Sequence, residues 1–269
     1  MPAGIYDCHA HLADPRLAAE LPQLLARSRA HGLRGVLAAA ARLREWPVIA
    51  ELVRREPGVL GALGLHPFFL DDWTPGLPGE LRTRLLAEPR LRAVGEIGLD
   101  FWHGRQDRDR QHAAFTAQLA VACELRRPVV LHNRRSWPDF FAVWRELRTP
   151  PPGGVLHHFT GSRETARQAL DLGLHLSFCG PLTWPQSRRL KTVAAWAPLD
   201  RLLTETDAPD LPAEPYRGSL SEPWQAGAVL AELARLKQQP LETVADAVAA
   251  NFTTLFGDAG GNVPPDGKP

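Results

Sequence analysis

The chain has 269 residues, 44% of them hydrophobic, and a net charge of +1. That composition excludes a disordered chain, and the near-neutral balance excludes a global field for nucleic acid, so any basic surface has to be local. Three widely spaced cysteines, Cys8, Cys123 and Cys179, exclude a disulfide scaffold and are expected to be buried packing residues in a reducing compartment. With no signal-peptide pattern and no apolar run near the roughly 20 residues of a membrane helix, the expectation is a soluble, cytoplasmic protein that makes no membrane contact.

In chain order, short apolar or β-rich runs predict strands at 5–8, 35–40, 59–65, 92–97, 128–132, 154–157, 174–178 and 201–205. Helical periodicity lies between them, at 17–30, 43–55, 107–125, 136–147, 163–171 and 186–196. Two further helices, 223–237 and 241–256, close the chain, with Pro240 at their boundary. Residues 1–257 are expected to form one domain and 258–269 a disordered tail. Strands alternating with helices favour parallel packing, because parallel neighbours need crossover connections. A doubly wound sheet and a (β/α)8 TIM barrel both satisfy that alternation.

The residues at the strand ends favour the barrel. His9 and His11 end the first strand at i and i+2, on one side of it. Glu96 lies in an apolar strand, flanked by Gly95 and Gly98, which leave room for something close to the backbone. A buried carboxylate needs a partner: a metal, or an arginine such as Arg92. His132 and His157 close two further strands, and Asp207 ends the last. Histidine nitrogens and carboxylate oxygens are the ligand set of hydrolytic divalent metals. An open sheet cannot bring so many strands to one ion, whereas a barrel brings all their C-terminal ends to one rim. His66 also ends a strand, and Glu205 precedes Asp207 by two residues as a supporting group. Asp100 reads as a turn cap. His158 would face away if its strand continued. No dinucleotide fingerprint, P-loop or nucleophile elbow is present.

With these residues in place, five segments resemble the TatD family of metal-dependent hydrolases, within the wider amidohydrolase-like barrels. They are Tyr6-Asp7-Cys8-His9-Ala10-His11, Gly64-Leu65-His66-Pro67, Val94-Gly95-Glu96-Ile97-Gly98-Leu99-Asp100, Leu131-His132-Asn133-Arg134 and Leu203-Thr204-Glu205-Thr206-Asp207-Ala208-Pro209, and the string His157-His158-Phe159-Thr160-Gly161-Ser162 accompanies them. The resemblance spans about residues 4–257. It implies a hydrolase with two divalent ions (Mg2+, Mn2+ or Zn2+). His9, His11, Glu96 and Asp207 would hold one ion and Glu96, His132 and His157 the other, with Glu96 bridging. It also implies deoxyribonuclease activity on DNA ends. The chain departs from the family pattern at Cys8, for the usual Ser or Thr, and at Ala13, where an acidic residue is common. Phe68 stands for a frequent His, and Asn133 for a small hydroxyl or thiol residue. All four departures leave the proposed ligands intact and bear on substrate contacts.

The expected reaction is metal-assisted phosphodiester hydrolysis of DNA, taken by its 3′ ends or as single strands. Asp207 would orient water and accept its proton. His66, Arg134 and Glu205 are the candidate substrate contacts, with Arg134 neutralising phosphate. Other arginines expected in loops above the rim are Arg105, Arg108, Arg110, Arg135, Arg163, Arg188 and Arg189. Two rival readings keep the metals: hydrolysis of a carboxyl ester, lactone or amide, and a metal-binding scaffold without turnover.

Overall fold

Eight strands pair in parallel, each with the next in sequence: β1 (Ile5–Ala10), β2 (Leu33–Ala39), β3 (Val59–Leu63), β4 (Leu91–Asp100), β5 (Val129–Arg134), β6 (Gly154–Leu156), β7 (His175–Phe178) and β8 (Leu202–Thr204). The computed structural model describes residues 4–104 and 107–260. The ring closes between β8 and β1 through hydrogen bonds. Thr204 Oγ1 donates to the Tyr6 carbonyl at 3.0 Å, Asp207 N to His9 at 3.0 Å and His11 N to Ala208 at 2.7 Å. Helices α1 (Pro15–Ala18) and α2 (Leu21–Ala30) follow β1, then α3 (Trp46–Arg55), α4 (Leu77–Ala87), α5 (Arg108–Leu125), α6 (Trp137–Arg145), α7 (Arg163–Asp171) and α8 (Arg188–Trp196) follow β2 to β7 in turn. After β8 come α9 (Ala226–Lys237) and α10 (Leu241–Phe256). This is a (β/α)8 barrel, and the expectation of that fold holds.

The strands are buried almost throughout, because helices cover the outside and side chains fill the inside. Each helix turns an apolar stripe inward, as Ile49 and Val53 do in α3 and Phe115, Leu119 and Ala122 in α5. Burying a side chain such as Phe115 stabilises the fold by about 1.5–3 kcal/mol.

Three local expectations are corrected. The helix expected over 17–30 breaks at Ala19 and Glu20, and Pro22 sits in the first turn of α2, where its missing N–H costs nothing. Helix α4 was not expected: Gly76, Pro78 and Gly79 obscure its start, yet Leu77, Leu81 and Leu85 bury at i, i+4 and i+8. Packed structure also runs past the expected boundary at 257. Ala259 is buried and its carbonyl accepts from Gly58 N at 3.1 Å, which ties 258–260 to the N-terminal end of the barrel. The rest of the expected tail, 261–269, lies outside the described residues, as does Arg105. Among the described residues, no helix is long and apolar enough to cross a membrane.

Candidate metal centre

The hydrogen bonds that close the barrel also set the site. Asp7 is fully buried and accepts from the backbone N–H groups of His9 and Thr206, each at 3.1 Å, and from the Thr206 hydroxyl. It locks the end of β1 to the end of β8, which places His9 and Asp207 side by side. Burial pushes the Asp7 carboxyl well up, and those hydrogen bonds pull against it. Asp207 itself has φ 57°, a left-handed conformation that Asp tolerates better than most residues.

Around Glu96 the side chains gather in two sets. In the first, His9 Nε2 and His11 Nε2 lie 3.2 Å apart. Each is 3.4 Å from Asp207 Oδ1, and they are 3.4 and 3.5 Å from Glu96 Oε2. In the second, the other carboxylate oxygen, Glu96 Oε1, lies 2.9 Å from His132 Nδ1 and 2.7 Å from His157 Nε2, which are 3.3 Å apart. Atoms around a tetrahedral ion at about 2.0–2.1 Å are separated by roughly 3.3 Å, so the first set has the spacing of a coordination shell.

The far sides of His11 and His132 agree, and a carboxylate stands behind His157. His11 Nδ1 faces the Ala39 carbonyl at 3.2 Å, His132 Nε2 faces Asp100 Oδ2 at 2.8 Å, and His157 Nδ1 lies 3.6 Å from Glu205 Oε1. An acceptor there keeps the ring proton on the remote nitrogen and leaves a lone pair facing the centre, as ligating histidines require. Among the described residues, His9 Nδ1 and His157 Nδ1 are buried without a hydrogen-bond partner, the nearest carboxylate oxygen to the latter being that of Glu205.

Charge supplies a third indication. Burial opposes ionisation of Glu96 and Asp207, yet the histidines around them hold both carboxyls well below the usual carboxylate range. Burial likewise opposes a proton on His11, but Asp207 and Glu96 raise its pKa to about 9, and His157 is raised well above its ordinary value despite burial, chiefly by Glu96. Buried Glu96 and partly buried Asp207 thus draw positive charge into the centre, as protons or as a cation. Spacing, lone-pair direction and charge all fit divalent ions.

His66 differs from these four histidines. Its Nδ1 accepts from Phe68 N at 3.0 Å, so the neutral ring carries its proton on Nε2, 3.4 Å from Glu96 Oε1. Burial drives its pKa down to about 4. His66 therefore caps the following turn through Nδ1 and presents a neutral N–H donor to the centre.

Glu205 was expected among the substrate contacts and is corrected. It is fully buried behind His157, accepts from His158 N, and has Cys8 Sγ 3.5 Å from Oε2. It supports a histidine and cannot touch substrate. Cys8 is buried as expected, with Ser177 Oγ as a second polar partner at 3.0 Å. Asp100 does cap its turn, accepting from Trp102 N at 2.7 Å, but its other oxygen orients His132. Periodicity carries no signal for a carboxylate that serves two partners at once.

His158 is also corrected. β6 ends at Leu156, the chain turns at His158 (φ 41°), and the ring lines a groove with His132, His157 and Asp207. The alternative partner for Glu96, Arg92, lies four residues away at the start of β4, and every close partner of Glu96 is a histidine. The room left by the two glycines is filled by β5. A Cβ on Gly95 would meet Val130 Cβ at 2.5 Å, and one on Gly98 the His132 carbonyl at 1.9 Å.

Two grooves open from the centre. One, of about 440 Å³, is lined by His132, Arg134, His157, His158, Asp207 and Leu211, among others. The other, of about 400 Å³, runs past His11, His66 and Glu96 to Arg42, Phe68 and Phe69. Arg134 is exposed, with its guanidinium carbon 3.7 Å from the Trp102 ring centre. Arg135 shares the Trp102 ring at 4.0 Å, whereas four other expected rim arginines are engaged elsewhere: Arg108 with Asp139, Arg110 with the Leu70 carbonyl and Arg189 with the Thr160 carbonyl, while Arg163 packs on Trp196. Arg42, not singled out from sequence, lines the second groove.

A barrel with this rim is the architecture of a metal-dependent hydrolase, and the relatives agree. The chain is 36% identical over 255 residues to the metal-dependent hydrolase YcfH of Escherichia coli K12, covering 94% of this chain and 95% of that one. It is 34% identical over 262 residues to the 3'-5' ssDNA/RNA exonuclease TatD of Klebsiella pneumoniae, covering 94% and 98%. The crystal structure of YjjV, a TatD homologue from E. coli K12, superposes with a TM-score of 0.89 at 31% identity, covering 95% of this chain and 99% of that one. Residues 6–257 match the family described as TatD related DNase, and the chain belongs to that family.

Proposed function

We propose that the protein is a divalent-metal-dependent deoxyribonuclease that removes nucleotides from DNA 3′ ends or single strands. The observation that carries this reading is the division of Glu96, with one carboxylate oxygen toward each pair of histidines. His9, His11, Asp207 and Glu96 would hold one ion and Glu96, His132 and His157 a second. The name of the Klebsiella relative supports a nucleic-acid substrate.

Bound divalent ions supply a lowered water pKa and neutralise charge on phosphate oxygens. The chain's own groups do the rest. Asp207 lines the groove, orients the attacking water and accepts its proton. The water oxygen bonds to phosphorus as the bond to the departing sugar oxygen breaks, and that oxygen leaves with a proton from solvent. His66 donates through Nε2–H to a phosphate oxygen, and Arg134 offers its planar fork to the same group or its neighbour.

The test is a turnover screen of the purified protein over oligonucleotides, carboxyl esters, lactones and amides, with Mg2+, Mn2+ or Zn2+ and with a chelator, alongside elemental analysis. Metal-dependent shortening of oligonucleotides, with up to two ions per chain, is expected. Ester, lactone or amide hydrolysis without nuclease activity, or full activity in chelator, overturns the reading.

A further inference from the structure

The aromatic side chains of the rim are used unequally. Phe69 carries the Arg42 guanidinium, 3.5 Å above its ring centre, and Trp102 carries Arg134 at 3.7 Å and Arg135 at 4.0 Å. These arginines have no carboxylate partner among the described residues. A guanidinium laid flat on a ring keeps its N–H edge free for an anion. Phe68 has no cation on its ring among the described residues and is 47% exposed. It stands beside the centre, with its ring 4.8 Å from that of His66 and 6.1 Å from that of His132. It lines both the groove that holds Arg42 and a smaller cavity of about 210 Å³ beside Asp100 and His103.

The Phe68 ring is open to solvent in the free protein. Its backbone N–H is committed to His66 Nδ1, which ties the Phe68 backbone to the centre. The carboxylates of the Arg42 groove are already engaged: Asp14 and Asp210 by Arg16, Glu45 by the N–H groups of Ala41 and Arg42, and Glu96 by the histidines of the centre. Arg42 is left to meet an anion one step from the centre, with an unoccupied aromatic face beside it. A nucleotide has that combination, a flat base joined to a phosphate.

We propose that Phe68 is a stacking platform for the nucleobase next to the cleaved bond, and that Arg42 takes the adjoining phosphate. This rests on the phosphodiester reading and deepens it: the substrate would be recognised through an unpaired base, whose face is free only in a single strand or at a frayed end. Stacking tolerates any base, so selection would be for single-strandedness over sequence.

The test compares the unaltered protein with Phe68→Ala and Phe68→Trp. The substrates are a single-stranded oligonucleotide and the same oligonucleotide with abasic residues at its 3′ end. On the base-bearing strand, Phe68→Ala should raise KM by about 5- to 100-fold, with most of the loss in KM and little in kcat, and Phe68→Trp should restore it. On the abasic strand the gap between Phe68→Ala and the unaltered protein should shrink. Cleavage with an unchanged KM in Phe68→Ala, or an equal loss on both strands, overturns the platform alone. Cleavage of neither strand by the unaltered protein overturns the phosphodiester reading and the platform with it.

Discussion

The helical shell and the rim of the barrel carry charge in opposite ways. In the shell, acids and arginines neutralise each other: Arg27 with Glu222, Arg54 with Glu88, Arg84 with Glu80 and Arg167 with Glu164. At the rim the carboxylates Glu96 and Asp207 face histidines, while Arg42 and Arg134 lie on aromatic rings. Apart from Arg16, which pairs with Asp14 and Asp210, both signs are present within one site but are held apart. A shell of paired charges is complete in the free protein and is worth little to stability, since each exposed pair is screened by water. On the proposed function, the rim would be completed by a cation in the histidine cage and an anion at the arginines.

The largest effect should come from breaking the cage at its shared member. Glu96→Gln keeps the shape of the side chain and removes the charge that serves both histidine pairs. Bound metal and turnover should both fall, by well beyond the roughly 10- to 100-fold typical of groups that merely support a ligand. Asp207→Asn should keep more of the metal and still lose about 10²–10⁴ in turnover, because an amide cannot take the proton from water. Metal analysis beside steady-state rates checks both. Full metal content and wild-type rates in Glu96→Gln would show that the rim is no different from the shell.

The cage was legible in sequence because its members lie in the C-terminal halves of strands or just beyond them, and a parallel barrel delivers every strand end to one rim. His9, His11, Glu96, His132, His157 and Asp207 needed no knowledge of loops. What was not legible depends on contacts between distant segments. The second oxygen of Asp100, the burial of Glu205 behind His157 and the lock of Asp7 on Thr206 are products of closure. The turn at His158 and the position of Arg42 are set by loops that have no period to read. A different reason hid α4: its leucines do keep a helical period, but the glycines and proline at its start obscure it.

Asp100→Asn should give the next smaller effect, and it sharpens the distinction between holding an ion and holding a histidine. Asp100 touches His132 through Nε2 and not through the nitrogen that faces Glu96. The substitution should weaken metal binding by about 10- to 100-fold, and saturating metal should rescue most of the turnover. A rate that metal cannot rescue would place Asp100 among the groups that act on the substrate.

Acidity separates the two regions without any substitution. In the chelated protein the His11 pKa is raised to about 9, against an ordinary value of about 6.5. A raised histidine contributes stability that is fully present below about 6.5 and is lost as pH rises through about 9. The chelated protein should therefore lose Tm between about pH 6.5 and 9. In the same window the gain in Tm on adding metal should grow, because ions compete with those protons for the same lone pairs. The shell pairs named above join arginines to carboxylates and contain no histidine. Thermal scans with chelator and with Mn2+ across that range decide it. A chelated Tm that is flat or rises toward pH 9 would mean that protons do not stand in for the ion.

The smallest effect belongs to the anion side of the rim, and it tests whether an arginine on an aromatic ring behaves differently from one in a salt bridge. Arg134 is exposed, lines the groove beside Asp207 and has no carboxylate partner among the described residues. Arg134→Ala should weaken oligonucleotide binding alike for every sequence, since a phosphate contact carries no base information. It should also flatten the dependence of log affinity on log salt by about 0.7, the share of one contact to a single strand. Arg84→Ala, which removes a shell arginine already paired with Glu80, should leave that slope where it was. Affinity measured at several salt concentrations for several oligonucleotides gives both slopes. If the two substitutions change the slope equally, the rim arginines are as neutralised as those of the shell, and the separation of charge at the rim ends with the cage.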